Sequence, residues 1–207
     1  MVGTAAHISL QDKALGALLG GALGDALGMP TQTLTTDQIS ALYGRIDDLA
    51  PSHPDNSVSR GLPAGAITDD TEQTLLMAEQ LISSPDHFDN HQWAQTLLEW
   101  ERDVRARGLY DMLGPSTKRA LSALIDGAPV DEVGKNGTTN GAAMRVSPIA
   151  LATPAYPIEA LIEEVEKSCR LTHNTPQAIA GAAAVAAALS IALDGASLEK
   201  MIEHAQA

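Results

Sequence analysis

The sequence predicts an all-α protein, and three observations carry that reading. The 207 residues are 44% hydrophobic but only 3% aromatic, so the core must be built from Ala, Leu, Ile, Val and Met. Ala and Leu are among the strongest helix formers. No long β-branched alternating run competes with them. The length suits a single domain over residues 1–207 with a sizeable core.

The elements follow in order. Residues 11–28 carry Gly16, Gly20, Gly24 and Gly28 at four-residue spacing, which puts them on one face of a helix. Each glycine costs about 1 kcal/mol of helix propensity against Ala, so close approach of another backbone is expected to offset them. Leu15, Leu18, Leu19, Leu23 and Leu27 cover the rest, so this helix is expected to be buried centrally. Asp25 is then a carboxylate in an apolar element, and it needs a cation or hydrogen-bond donors. Pro30 ends the element, with Thr31 and Gln32 in the turn, and a short helix capped by Asp37 is expected over 37–43.

From Asp47 to Gly65 the chain is rich in Pro, Ser, Asn, Asp and Gly and reads as a long loop. A helix follows to about Ile82. His87 and His91 sit four apart, a possible chelating pair, but Asp86, Asp89 and Asn90 around them favour a solvated helix start. Further helices are expected over 91–106, ended by Gly108, and from Gly114-Pro115-Ser116 to about Ile125. Gly134 to Gly141 is a polar, Gly-broken loop rich in backbone N–H groups, without the spacing of a Walker loop. Arg145 is a lone cation among apolar residues and needs a partner. An acidic amphipathic helix spans 157–171, with Glu159, Glu163, Glu164 and Glu166 outward. His173 stands at its end, either as a cap or as a ligand contact. A buried helix is expected from Gln177 to Leu193, and a last one starts at Ser197.

Composition limits the function. Thirteen Lys+Arg against 26 Asp+Glu give a formal charge of −13, which argues against nucleic-acid or anionic-membrane binding. A nucleotide-like ligand held by backbone N–H groups and a metal remains compatible. Cys169 is the only cysteine, so no intrachain disulfide is expected and a reducing cytoplasm fits; the residue reads as packing. Met1 to Leu10 lacks the basic flank and apolar core of a signal peptide, and the apolar run 178–193 is short and Ala/Gly-rich for a membrane span.

The densest chemistry is Thr68-Asp69-Asp70-Thr71-Glu72. Two adjacent carboxylates between hydroxyls suit a hard divalent cation such as Mg²⁺ or Mn²⁺. The same residues also fit a simple helix start, with Asp69 and Glu72 as a capping box.

Four stretches in order resemble the ADP-ribosylglycohydrolase family: Gly20-x-x-x-Gly24-Asp25-Ala26-Leu27-Gly28, Ile67-Thr68-Asp69-Asp70-Thr71, Asn140-Gly141-Ala142-Ala143-Met144-Arg145, and Thr172-His173. The resemblance implies a compact orthogonal multi-helix fold with two Mg²⁺ or Mn²⁺ ions in a central cleft. It implies hydrolysis of the bond between ribose C1 of ADP-ribose and an acceptor such as Arg or Ser. It places Thr68, Asp69 and Asp70 as metal ligands, Asp69 and Asp70 as the catalytic acids, and Gln32, Asn140, Gly141 and His173 against the substrate. Asp25 and Arg145 would support them, and Arg145 is expected to tie the Asn140 loop to an acid such as Asp25.

The chain departs from the family pattern twice. Gln32 stands where the family usually has a Glu, and an amide cannot take a proton. The Asp-x-Asp-Thr cluster that completes the family's metal site is not found in residues 180–207, so the fold is expected to be C-terminally incomplete. A further segment or second chain would complete the site. The alternative is a non-catalytic ADP-ribose-binding pseudoenzyme or fragment.

Overall fold

Helices begin where a hydroxyl or carboxylate can take the orphan N–H groups of a first turn. In the computed structural model, which describes residues 8–85, 88–109 and 112–206, Ser9 caps α1 (Leu10–Gly28) by accepting from the Asp12 amide. A single 3₁₀ turn, Met29–Thr31, follows. Thr35, not Asp37, caps α2 (Thr36–Tyr43), in a capping box completed by Gln38. Thr68 caps α3 (Asp69–Ser83) and Asp89 caps α4 (Asn90–Ala106). The His87–His91 reading falls partly on His87, which lies outside the described residues; the His91 amide donates to Asp89 as part of the cap.

Pro115 opens α5 (Pro115–Ile125). Short helices α6 (Val130–Val133), α7 (Gly141–Met144) and α8 (Ser147–Ala152) flank the Gly-broken loop. The chain continues through α9 (Ile158–Cys169), α10 (Pro176–Leu193) and α11 (Leu198–Gln206). Among the described residues there is no strand, and the all-α expectation holds.

The core lies where α4, α9 and α10 meet the short helices. Trp93, Leu97, Trp100 and Val104 form one buried stripe of α4, and Leu161, Val165 and Cys169 one of α9. Each large side chain buried there is worth roughly 1.5–3 kcal/mol. Ala178, Ala182 and Ala186 make a small-residue stripe on α10 that packs against α7, α8 and α9. By length and composition α10 could cross a membrane, and its buried face is that alanine stripe, while Val185 on another face is exposed. The Cys169 thiol is buried in this core and pushed up to about 11, as expected of a packing residue.

The central burial expected for α1 is not what the structure shows. Ala26 is its one buried residue among those described, and Leu15, Leu19 and Leu23 are 54%, 60% and 54% exposed. No backbone crosses the glycine stripe: a Cβ added at Gly16, Gly20, Gly24 or Gly28 would meet nothing within 4 Å. The stripe borders open space although α1 is held at both ends, by Lys13 donating to the Leu193 carbonyl and by Asp25 on α3.

The long loop is held in place by side chains. Asn56, wholly buried, donates to the Pro30 and Gln32 carbonyls and accepts from the Val58 and Ser59 amides. The Ser59 hydroxyl donates to the Met29 carbonyl at 2.9 Å, and the Tyr43 hydroxyl reaches Pro30 and Pro51. The 3₁₀ turn after α1 is thus pinned from below by the loop that leads into α3.

Candidate functional site

The site is built on the junction of α1 and α3. Asp25 accepts four hydrogen bonds there: from the Thr68 amide and hydroxyl, both at 2.7 Å, and from the Thr71 amide and hydroxyl, at 3.2 and 2.6 Å. The acid that looked stranded on an apolar helix is saturated with donors. It caps α3 from 43 residues away. Thr68 is wholly buried, its hydroxyl 2.7 Å from Asp25 and 3.2 Å from Asp70.

The local capping box does not form. With Thr68 as N-cap, the N3 residue is Thr71, whose amide goes to Asp25. Glu72 turns away instead. It accepts from the Trp100 indole at 2.7 Å and from both terminal nitrogens of Arg107 at 2.8 and 2.7 Å. The guanidinium holds its carboxyl below the usual range against the opposing effect of partial burial. This clamp locks the start of α3 to the end of α4. No signal in the spacing of Glu72, Trp100 and Arg107 marks it in the sequence.

Asp69 and Asp70 are left at the helix start with little neutralisation. Burial, then the neighbouring Asp70, pushes the Asp69 carboxyl up to about 7. Burial and Asp25 raise Asp70. Backbone N–H groups of the first turn and the charge of Arg145 oppose this at Asp69 only in part.

Two cavities meet at this acid pair. The first, about 390 Å³, is walled by Gly21, Gly24, Asp25 and Gly28 of α1 and by Asp70, Thr71 and Thr74 of α3. The second, about 330 Å³, is lined by Asp69, Asp70, Thr33, Val58, the start of α5 and the Thr139–Gly141 loop. Gln32, Asp70, Asn140 and Met144 border both. The expected residues Gln32, Asn140 and Gly141 therefore face the cavities with the acids. Thr33 beside them has φ +63°, a conformation β-branched residues rarely adopt.

His173 and Arg145 lie behind this surface. His173 is wholly buried, its Nε2 3.0 Å from the Thr139 hydroxyl and its Nδ1 2.8 Å from that of Thr172. Burial, Arg145 and Arg119 push the ring down to about 3, so it is neutral. Its edge sits under Gly141, where an added Cβ would stand 2.6 Å from Cε1. The ring lines neither cavity; it meets the site through the loop it supports.

Arg145 is not tied to Asp25. It is wholly buried, donates to the Gln73 side chain and the Thr172 hydroxyl, and lies 5.6 Å from the Trp93 ring centre. All four Asp25 bonds are already taken by Thr68 and Thr71, and Arg145 finds neutral partners. Burial pushes its pKa down to about 10, which leaves it charged, with Asp69 an attracting carboxylate.

Among the described residues, no group of three or more His, Cys, Asp or Glu side chains is arranged to hold a metal ion. Asp69 and Asp70 fit part of a hard-cation site. Each presses the pair toward protonation, and a divalent cation would relieve both while leaving most of a six-oxygen shell to other donors.

Comparison with known proteins identifies the family. The sequence model of the ADP-ribosylglycohydrolase family matches residues 6–207. The chain is 37% identical over 192 residues to the uncharacterized protein YegU of Escherichia coli K12, covering 93% of this chain and 57% of that one. It is 31% identical over 169 residues to the ADP-ribosyl-[dinitrogen reductase] glycohydrolase of Rhodospirillum rubrum, covering 81% and 53%. A solved structure named ADP-ribosylglycohydrolase-related protein complex superimposes with a TM-score of 0.72 at 31% identity, over 93% of this chain and 60% of that one. The chain thus spans between half and two thirds of the length of these relatives. Within that span, the chain belongs to the ADP-ribosylglycohydrolase family.

Proposed function

We propose that the chain forms the Asp69–Asp70 side of a metal-dependent hydrolase site that cleaves the glycosidic bond at ribose C1 of an ADP-ribosylated protein or a related ribosyl molecule. The observation that carries this reading is the placement of the two acids. They lie side by side at the start of α3, Asp70 bordering two cavities that share Gln32 and Asn140 and Asp69 bordering the second of them.

Asp69 and Asp70 would hold Mg²⁺ or Mn²⁺, with Thr68, whose hydroxyl donates to Asp25 and accepts from the Asp70 amide, offering its remaining lone pair. The remaining oxygen donors would come from water, from ribose hydroxyls and from a further segment or second chain. The cation supplies charge that favours ionised oxygen near neutral pH. In the reaction the bond from C1 to the acceptor breaks, a water oxygen bonds to C1, and a water proton passes to a carboxylate or the departing group. Asp69, pushed up to about 7 by burial and Asp70, would give up its own proton on binding the cation. Gln32 can orient a hydroxyl or the water through its amide but cannot accept the proton. Asp25 keeps both acids in register through Thr68 and Thr71.

A second reading, binding without turnover, is favoured by the amide at Gln32 and by the partial donor set. One experiment separates them. Release of free ADP-ribose from ADP-ribosylated protein, dependent on Mn²⁺ or Mg²⁺ and abolished in Asp70→Asn, supports hydrolysis. Calorimetric binding of ADP-ribose with no release under the same conditions supports the second reading.

A further inference from the structure

Gln32 borders both cavities from the end of the 3₁₀ turn, where no long helix fixes its backbone. Its bond within the turn is long, the Gln32 amide donating to the Met29 carbonyl at 3.4 Å. Thr33 follows at φ +63°, a conformation that persists in a β-branched residue only where the surroundings impose it. The neighbours of the turn must therefore set its path.

The neighbour at Gln32 is Asn56, which is wholly buried and lines neither cavity. Its Nδ2 donates to the Gln32 carbonyl at 2.9 Å and to the Pro30 carbonyl at 3.3 Å. Its Oδ1 accepts from the Val58 amide at 2.9 Å and the Ser59 amide at 3.0 Å. These four bonds use the whole capacity of a carboxamide, two donors and two lone pairs. Gln32 and Val58 both line the second cavity, so one side chain ties two parts of that wall together. The other side-chain bonds to the turn fall before Gln32: the Ser59 hydroxyl meets the Met29 carbonyl and the Tyr43 hydroxyl the Pro30 carbonyl. Among the described residues, Asn56 alone holds the Gln32 carbonyl.

We propose that Asn56 is a positioning residue for the site: by linking the Gln32 carbonyl to the Val58 amide, it sets where the Gln32 side chain meets the ligand. That the ligand is an ADP-ribosyl group rests on the reading above. That Asn56 fixes the turn does not.

Asn56→Asp tests this selectively. It keeps the shape and the acceptor for the Val58 and Ser59 amides, but turns an oxygen toward the Pro30 and Gln32 carbonyls. Calorimetry of the full chain with ADP-ribose and Mg²⁺ compares wild type, Asn56→Asp, Gln32→Ala and the double variant. Asn56→Ala, which brings no charge into the buried position, is run in parallel and read the same way. Asn56→Asp should bind ADP-ribose about tenfold more weakly than wild type, and should cause no further loss when Gln32 is already Ala. Ser59→Ala, which loses a buried bond to the same turn but leaves the Gln32 carbonyl held, should lower the urea midpoint and keep wild-type affinity. An equal loss with and without Gln32, no loss at all, or the same loss in Ser59→Ala makes Asn56 a structural residue only and overturns the proposal. Amide hydrogen exchange reads the turn without a ligand: the Gln32 and Leu34 amides should exchange faster in Asn56→Asp, while the Glu72 amide of α3 keeps its wild-type rate. Wild type that binds no ADP-ribose, with that exchange difference intact, removes the ADP-ribosyl reading and keeps Asn56 as the anchor of Gln32. Unchanged exchange at Gln32 and Leu34 overturns the proposal whatever the binding result.

Discussion

The Asp25 carboxylate accepts the backbone N–H of Thr71 at 3.2 Å, joining the last turn of α1 to the first turn of α3. An N-cap is normally supplied by the residue just before the helix. Here a charged acceptor from another helix takes the N3 amide as well as the Thr68 amide, so the direction of the Asp69 and Asp70 side chains depends on α1. Asp25→Ala should destabilise the fold by about 2–3 kcal/mol, since charged hydrogen bonds are lost and buried donors are left unpaired. Asp25→Asn, which keeps one acceptor oxygen, should cost about half as much. Urea denaturation measures both, and a wild-type midpoint for Asp25→Ala would show that the contact carries no stability.

The acid pair links stability, pH and metal. The folded-state pKa of Asp69 is raised from 3.8 to about 7, so the folded chain holds a proton that the unfolded chain has released. Its contribution to stability is therefore present at low pH and declines as pH rises from about 4 to about 7. Deprotonation is also what prepares the pair for a cation. Mn²⁺ should raise the melting temperature little at about pH 5 and progressively more toward pH 8. Asp69→Asn should flatten the pH-dependent decline and reduce the Mn²⁺ effect. Thermal melts with and without Mn²⁺ across this range check it; a metal effect independent of both pH and Asp69 would contradict it.

His173 acts in the opposite direction. Its folded pKa lies at about 3, below the ordinary imidazole value of 6.5, so the folded chain refuses a proton that the unfolded chain accepts. Stability from this group is complete above about 6.5 and is lost as pH falls toward 3. His173→Gln should be less stable at neutral pH, because both threonine contacts change, yet show a shallower acid limb. Denaturant midpoints at neutral pH and at about pH 5 read both effects, and an unchanged slope between them would mean that another group sets the acid sensitivity.

The helices were legible in the sequence because their signals are local. Pro115 at a first turn, Gly108 after α4 and the spacing of Leu161 and Val165 need no distant partner to be read. The acid pair, Gln32 and Asn140 were legible as residue types that share the motifs of one family. What the chain pattern could not give is which donor meets which acceptor across elements. Asp25 and Arg145 were each recognisable as needing a partner, but pairing them with each other was wrong, because Thr68 and Thr71 saturate the acid and Gln73, Thr172 and Trp93 surround the cation. The Glu72–Arg107–Trp100 clamp was hidden for the same reason, since Asp69 and Glu72 satisfy a local rule that the tertiary structure overrides. Hydrophobicity likewise misplaced α1, whose leucines read as buried from every side while the fold holds the helix at its two ends and leaves Leu15, Leu19 and Leu23 exposed.

Two glycines then test what the backbone is for. Gly141 is pressed on His173, with an added Cβ only 2.6 Å from Cε1, and the ring is wholly enclosed. Gly141→Ala must move the ring or the loop and should cost about 1–3 kcal/mol. Gly24 is exposed within α1, and an added Cβ there meets nothing within 4 Å. Gly24→Ala should therefore stabilise the chain by about 0.5–1 kcal/mol through helix propensity. Gly24 also lines the first cavity beside Asp25, so the added methyl group takes space a ligand would use. The expected result is a variant with a higher denaturation midpoint and a lower affinity for ADP-ribose, measured by urea titration and calorimetry. A more stable variant with unchanged affinity would show that the glycine face of α1 does not border the bound ligand, and would shift the ligand wholly into the cavity on the α5 side.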